Sequence, residues 1–384
     1  MPRVVVAPNA FKGTLTAMAA AKAMADGVVD AVPSADVVLR PVADGGDGTV
    51  DCAISAGFNR HEITVSGPLG EPALAAFAVR DDRAVLEVAQ AAGLTLLATP
   101  DPRGATTAGV GQLIRAALDA GARQILLGAG GSATTDGGTG MCSTLGVCFL
   151  DAAGEPVPPG GGGLGRLARI IADARDPRLA GATLTVAADV DNPLLGPSGA
   201  AAVFGPQKGA NAADVAALED GLRALVAAAE AVRPGAAAIA ERPGAGAAGG
   251  LAFGAVTFLD AQVRPGADLL LEMVRFDATL EGADLVITGE GAFDEQTLRG
   301  KAPLAVARRS QAAGVPVAAV CGRLDTPRER WAAAGFVLAR GVVETGPVPA
   351  RSEASGTATR PHAPHGHAGP LRRRTAQVVR ELLG

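Results

Sequence analysis

The residues best suited to chemistry lie between Asp284 and Arg309, in DLVITGEGAFDEQTLRGKAPLAVARR. Glu290, Asp294, Glu295, Gln296, Thr297, Arg299 and Lys301 crowd together there, beside Gly289 and Gly291. Basic side chains next to several carboxylates suit a phosphate plus a divalent metal better than either alone. A well-capped turn with solvated charges is the rival reading. Residues 128–140, GAGGSATTDGGTG, form the densest glycine loop, with Ser132, Thr134, Thr135 and Asp136 among six glycines. Its free N–H groups and hydroxyls suit phosphate oxygens, with Gly130, Gly131, Ser132 and Thr134 as the expected contacts. Packing of the glycines is the alternative. Lys12, Lys208 and Lys301 all sit in glycine-bearing loops and can share a phosphate's charge.

Four loop carboxylates, Asp44, Asp47, Asp136 and Asp294, are candidate metal ligands, since each lies at the end of an expected strand. Magnesium usually takes one or two carboxylates together with substrate phosphates, so they cannot all be ligands. Asp189 and Asp191 lie just beyond another apolar run and could hold a metal or take a proton from a hydroxyl. They could equally be turn acids before Pro193. Asp189, nearer the strand, is the expected base, with Asp191 second. None of these loops carries histidine or cysteine. Phosphoryl transfer fits such a set, because it needs mainly positioning, cations and one carboxylate to orient the attacking hydroxyl.

Other nucleotide chemistries lack their motifs. There is no G-x-x-x-x-G-K-[ST], no G-x-G-x-x-G after the first strand, and no H-R-D or D-F-G pair. Cys52, Cys142, Cys148 and Cys321 show no metal-ligand spacing. His362, His365 and His367 fall in residues 344–370, whose Pro, Ser, Thr, Gly and His content reads as a flexible surface segment.

The elements that must position these residues alternate. Residues 3–7 predict a strand, 16–32 a helix and 36–40 a second strand. Residues 63–65, 73–79 and 84–88 predict short strands joined only by turns, which implies antiparallel or mixed pairing. A helix over 107–120 precedes a strand over 124–127, another strand covers 182–187, and Asn211 can cap a helix over 212–232. From about residue 267 strands and helices alternate again, through 285–287, the helix after Pro303, 315–320 and 336–339, to a last helix over 371–383. The expected fold is α/β: a Rossmann-like (flavodoxin-like) doubly wound domain, residues 1–60 and 265–384, with an inserted mixed α/β domain, residues 61–264. The site is expected between the two.

With 384 residues, 48% hydrophobic and 19% charged, the chain can build two sizeable cores. Aromatics are only 3%, so those cores must rest on Ala, Val, Leu and Ile. A net charge of -5 argues against a nucleic-acid partner, and no apolar run is long enough for a membrane span. The start, MPRVVVAPNAFKG, has no signal-peptide shape, and a cytoplasmic protein is the economical expectation.

Six ordered motifs resemble the bacterial glycerate kinase family of the glycerate 2-kinase type. They are APNAFKGTL (7–15), ADGGDGT (43–49), GGSATTDGG (130–138), DVDNPLLGPSGAAAVFGPQKGA (189–210), PGAGAAGGL (243–251) and ITGEGAFDEQTLRGK (287–301). The chain departs at Asn9 and Ala10, where Asp and Ser are also common, at Thr135 for Asn, at Ala188 for Cys, and over 344–370. The resemblance implies ATP-dependent phosphorylation of D-glycerate to 2-phosphoglycerate with magnesium, on two α/β domains, one inserted in the other. A kinase for another small hydroxy acid, or a non-catalytic sugar-acid sensor, is the alternative.

Overall fold

Val4, Val5 and Val6 are all fully buried, so the strand Arg3–Pro8 needs cover on both faces and neighbours on both edges. It finds them in parallel pairings with Asp36–Leu39 on one side and Leu285–Gly289 on the other. Leu285–Gly289 pairs in parallel with Val317–Leu324, and that strand with Leu338–Val343. The short strand Ala292–Phe293 adds to the far end of Val317–Leu324. The structure, a computed structural model, describes residues 1–11, 13–343 and 368–384.

This sheet belongs to one of two compact units, Met1–Asp44 with Ala267–Gly384. On one face Val4, Val6, Leu285, Ile287, Ala318 and Val320 pack against Met24 and Val28 of the helix Ala17–Ala31 and against Leu371, Val378 and Val379 of the helix Ala368–Leu383. Gly27 permits the close approach of these helices, because a Cβ there would lie 2.3 Å from the Arg372 carbonyl oxygen. The last helix begins at Ala368, earlier than its apolar pattern predicts. Pro370 is tolerated in the first turn, where a missing N–H breaks no helical bond. The rest of the expected flexible segment lies outside the described residues. The expected strand over 336–339 forms later, over Leu338–Val343, while Phe336 packs edge-on against Phe293 with ring centroids 5.2 Å apart.

The second unit, Gly45–Gly266, holds a mixed sheet in the order Gln262–Arg264, Thr183–Ala187, Gln124–Gly128, Arg83–Glu87, Pro72–Arg80, Asn59–Ser66. Its first three pairings are parallel and its last two antiparallel. The sequence explains the division: turns alone join the antiparallel strands, while the helix Ala108–Asp119 carries the chain across to the parallel one. Asn211 caps the helix Ala212–Ala229 by accepting from the N–H groups of Ala213 (2.8 Å) and Asp214 (3.0 Å), and Asp214 returns the bond to the Asn211 N–H. The glycine-rich stretch 244–250, which reads as a plain turn, runs into the helix Ala247–Leu259, which is kinked at Ala248, Gly249 and Gly250 by their left-handed conformations. The helix Thr49–Ser55, the edge strand Gln262–Arg264 and a small sheet of Cys148–Asp151 with Leu167–Ile171 were not expected.

The strand end at Gly289 is a tight point. A Cβ there would lie 1.8 Å from the Val320 carbonyl oxygen and 3.1 Å from the Met24 methyl. Backbone cannot yield as a flexible side chain can, so Gly289→Ala should lower stability by about 2 kcal/mol or more. A urea midpoint unchanged from the parent protein would show that the strands part freely there.

Candidate active site

In the first unit, the loops leaving Arg3–Pro8 and Leu285–Gly289, with the ends of the strands Val317–Leu324 and Leu338–Val343, open around a cavity of about 460 Å³. Asp44, Glu290, Asp294, Lys301 and Arg323 supply its charge, and Phe11 and Thr14 part of its wall. Asn9 is buried and donates from Nδ2 to Asp44 Oδ2 at 3.2 Å. Asp294 Oδ1 accepts from the N–H groups of Gln296 (2.9 Å) and Thr297 (3.2 Å), which fixes the turn. Lys301 stands at the cap position of the helix Ala302–Ala312, its ammonium 3.9 Å from Asp294. The Gln296 side chain is exposed and does not line the cavity. Lys12 lies outside the described residues.

Glu290 is buried and accepts a hydrogen bond of 2.5 Å from Thr297 Oγ1. Burial pushes its carboxyl up to about 7, against the opposing pull of Thr297 and Lys301, while Asp44 and Asp294 add to the rise. Sequence patterning includes Glu290 among the loop's polar residues without distinguishing it. Its place immediately after a fully buried strand, Leu285–Gly289, is the signal that sets it apart.

In the second unit, the turn at residues 45–48 lies on the start of the glycine loop. The Gly130 N–H donates to the Gly45 carbonyl oxygen at 3.0 Å, and a Cβ on Gly130 would lie 2.5 Å from Gly46 Cα. A Cβ on Gly131 would lie 2.5 Å from Asp47 Oδ1, so that carboxylate rests against the glycine. Lys208 is 2% exposed, and its ammonium donates to Ser132 Oγ (3.1 Å) and the Thr134 carbonyl oxygen (2.5 Å). Burial pulls its pKa down to about 8, with Asp136 opposing. Gly130, Gly131, Ser132, Thr134, Asp47 and Lys208 thus share one neighbourhood.

Asp136 is fully buried in the same loop and serves its architecture. It accepts from Thr107 through N–H and Oγ1 (both 2.8 Å), from Gly138 N–H (3.0 Å) and from Gly140 N–H (3.2 Å). Asp189 and Asp191 are exposed on the segment after Thr183–Ala187, and Asp189 Oδ1 accepts from the Gly266 N–H at 2.7 Å. Among the described residues no group of three or more His, Cys, Asp or Glu converges as a metal-binding set. Nor is any helix among them long and apolar enough to cross a membrane.

The model of the glycerate kinase family matches residues 4–357. The chain belongs to the glycerate kinase family. The glycerate kinase of Halalkalibacterium halodurans is 46% identical over 329 residues, covering 84% of this chain and 86% of that protein. The glycerate 2-kinase of Escherichia coli is 40% identical over 329 residues, with 84% and 85% covered. The crystal structure of a protein assigned as a glycerate kinase 2 from Salmonella typhimurium LT2 superposes with a TM-score of 0.84 at 35% identity, covering 99% of this chain and 98% of that one. The fold is therefore the mixed α/β fold of a kinase family.

In this family member the buried lysine has a measurable thermodynamic signature. Its folded pKa of about 8 lies below the ordinary 10.5, so between those values the unfolded chain holds a proton that the folded chain has released. Stability then rises with pH across that window. Lys208→Met removes this contribution, so the parent protein should gain on the variant in urea midpoint from about pH 8 to about pH 10. The chain has no tyrosine to blur the comparison, and other groups cancel in the difference. Parallel pH profiles for the two proteins would contradict the buried, depressed amine.

Proposed function

We propose that the chain catalyses ATP-dependent phosphorylation of D-glycerate to 2-phosphoglycerate, with magnesium. The observation that carries this reading is Lys208: a buried ammonium under a glycine loop, with two donors on neutral oxygens and the third without a partner among the described residues. A phosphate oxygen would complete it, and the loop's N–H groups would share the load. The Escherichia coli relative's name, glycerate 2-kinase, supports phosphorylation at the C2 hydroxyl.

The two units are read as two domains, one inserted in the other. The strand order of the parallel unit supports a Rossmann-like, flavodoxin-like doubly wound sheet, in which ligands bind beyond the strand ends where the order reverses. Ala10, Glu290 and Gly291 follow those strand ends, on the cavity that also holds Lys301. Asp44 and Asp294 on its wall fit magnesium's habit of taking one or two carboxylates, and the metal would neutralise phosphate charge there. Asp136, with its oxygens already occupied by donors, stands outside that pair. Asp189, held through Oδ1 by the Gly266 N–H, orients the substrate hydroxyl and takes its proton, with Asp191 in a lesser role.

ADP release should require both ATP and D-glycerate, with 2-phosphoglycerate as the product by NMR and other hydroxy acids as poor substrates. Release without glycerate dependence, or a better acceptor in the panel, would overturn the assignment, and activity surviving EDTA would remove the metal. Asp189→Asn keeps the acceptor for Gly266 while removing basicity, so it should cut kcat by roughly 10²-fold with little change in ATP binding. Asp191→Asn should do less. Lys301→Ala should lose turnover far more than stability, because a half-exposed helix-cap lysine holds little of the core.

A further inference from the structure

Glu87 ends the strand Arg83–Glu87, belongs to none of the motif loops, and is only 2% exposed. Its Oε1 accepts from the Val50 N–H at 2.5 Å and its Oε2 from the Gly48 N–H at 3.3 Å. Those donors open the helix Thr49–Ser55, whose own cap residue, Gly48, has φ +92 and no side chain to offer. The cap therefore comes from a distant strand. The same strand fixes the other partner: Glu87 pairs with Gly128 in the sheet, and the next residue, Val88, donates its N–H to the Gly128 carbonyl oxygen at 2.9 Å. One residue thus holds the end of the 45–48 turn and the root of the glycine loop.

We infer that Glu87 is a positioning residue that sets the turn carrying Asp47 against Gly130 and Gly131. The contact it governs has little slack, as a Cβ on Gly128 would lie 2.6 Å from the Gly45 carbonyl oxygen and the gaps at Gly130 and Gly131 are no wider. Holding a carboxylate there is costly. Burial pushes it up to about 7, the two N–H bonds pull against that, and Asp47 and Asp51 face it with like charge. A cap needed for the short helix alone would not call for a buried acid among other acids; a turn that must present Asp47 at a fixed place does. This inference rests on the proposed kinase function only for its kinetic readout.

The test compares the parent protein with Glu87→Gln, in which one N–H meets an amide NH₂ instead of an oxygen. The Val50 and Gly48 amides should exchange with solvent about 10-fold faster in the variant, while core strand amides of the same unit do not. In glycerate-dependent turnover, KM for ATP should rise at least about 5-fold with KM for D-glycerate within about 2-fold, because the displaced turn bears on the phosphate loop. Binding of a fluorescent ATP analogue should weaken in parallel. If Glu87→Gln fails to fold, Glu87→Asp, with its shorter reach, should show the same pattern of exchange and nucleotide affinity. Unchanged exchange at Val50 and Gly48, or faster exchange with unaltered nucleotide affinity, overturns the inference. Absence of glycerate-dependent turnover in the parent protein would count against the proposed function instead, and the exchange and nucleotide-binding measurements would still decide the role of Glu87.

Discussion

Backbone lying directly on backbone is the constraint on which the second unit's candidate site depends. Gly128 and Gly130 touch Gly45 and Gly46, and on the other flank a Cβ on Gly249 would lie 1.9 Å from the Thr134 carbonyl oxygen. Gly254 would similarly press on the Gly137 carbonyl oxygen at 2.4 Å. A side chain at any of these points would push two main chains apart. The glycine loop is clamped on both flanks, which keeps its N–H groups where secondary structure has left them. The rival reading of the glycines, as packing residues, and the phosphate-loop reading are therefore not exclusive. Packing provides the rigidity that anion binding would use.

Close packing within each unit excludes water and makes the ionisable groups buried there expensive. Glu87, Glu290 and Lys208 are each pushed by burial toward its neutral form, and among the described residues none sits in a tight ion pair. An apolar residue at these positions would avoid that desolvation cost. Fold stability alone gives no reason to keep all three. Groups retained against their own desolvation are expected where charge must be available to a ligand. Asp136 contrasts with them: it is just as buried, but several donors in its own unit surround it, and its work is structural.

What was legible in the sequence follows from how local each signal is. The loops announce themselves through runs of Gly, Asp, Ser and Thr after apolar strands, and the mixed sheet through strands joined only by turns. Asp136 could not be sorted from Asp44 or Asp294, because its saturating donors include Thr107, far off in sequence. Glu87 gave no signal at all, since one acid closing an apolar run looks like any strand end. The edge strand Gln262–Arg264 is too short for alternation to register. The helix that ends at Leu259 hides behind Ala248, Gly249 and Gly250, whose left-handed conformations kink the chain before the regular helix begins, so the stretch reads as a turn alone.

Lysine usage adds a signal that composition totals conceal. The chain has only four lysines, Lys12, Lys22, Lys208 and Lys301, and relies on arginine elsewhere. Three of the four lie in the glycine-bearing loops. Arginine cannot give up its proton in a protein and needs room for a planar fork. At position 208 the head group must fit beneath a clamped loop and tolerate burial without a counter-ion. An ammonium can do both, because it is compact and its pKa can fall, as it does here to about 8. Its three donors matter as well: two hold Ser132 Oγ and the Thr134 carbonyl oxygen, which fixes the direction of the third. An anion meeting that donor would favour the charged form and strengthen the bond it makes, because little water is there to compete. On the proposed function, lysine suits this position as a charge that can be buried while waiting and that would become fully favourable only when a phosphate arrives.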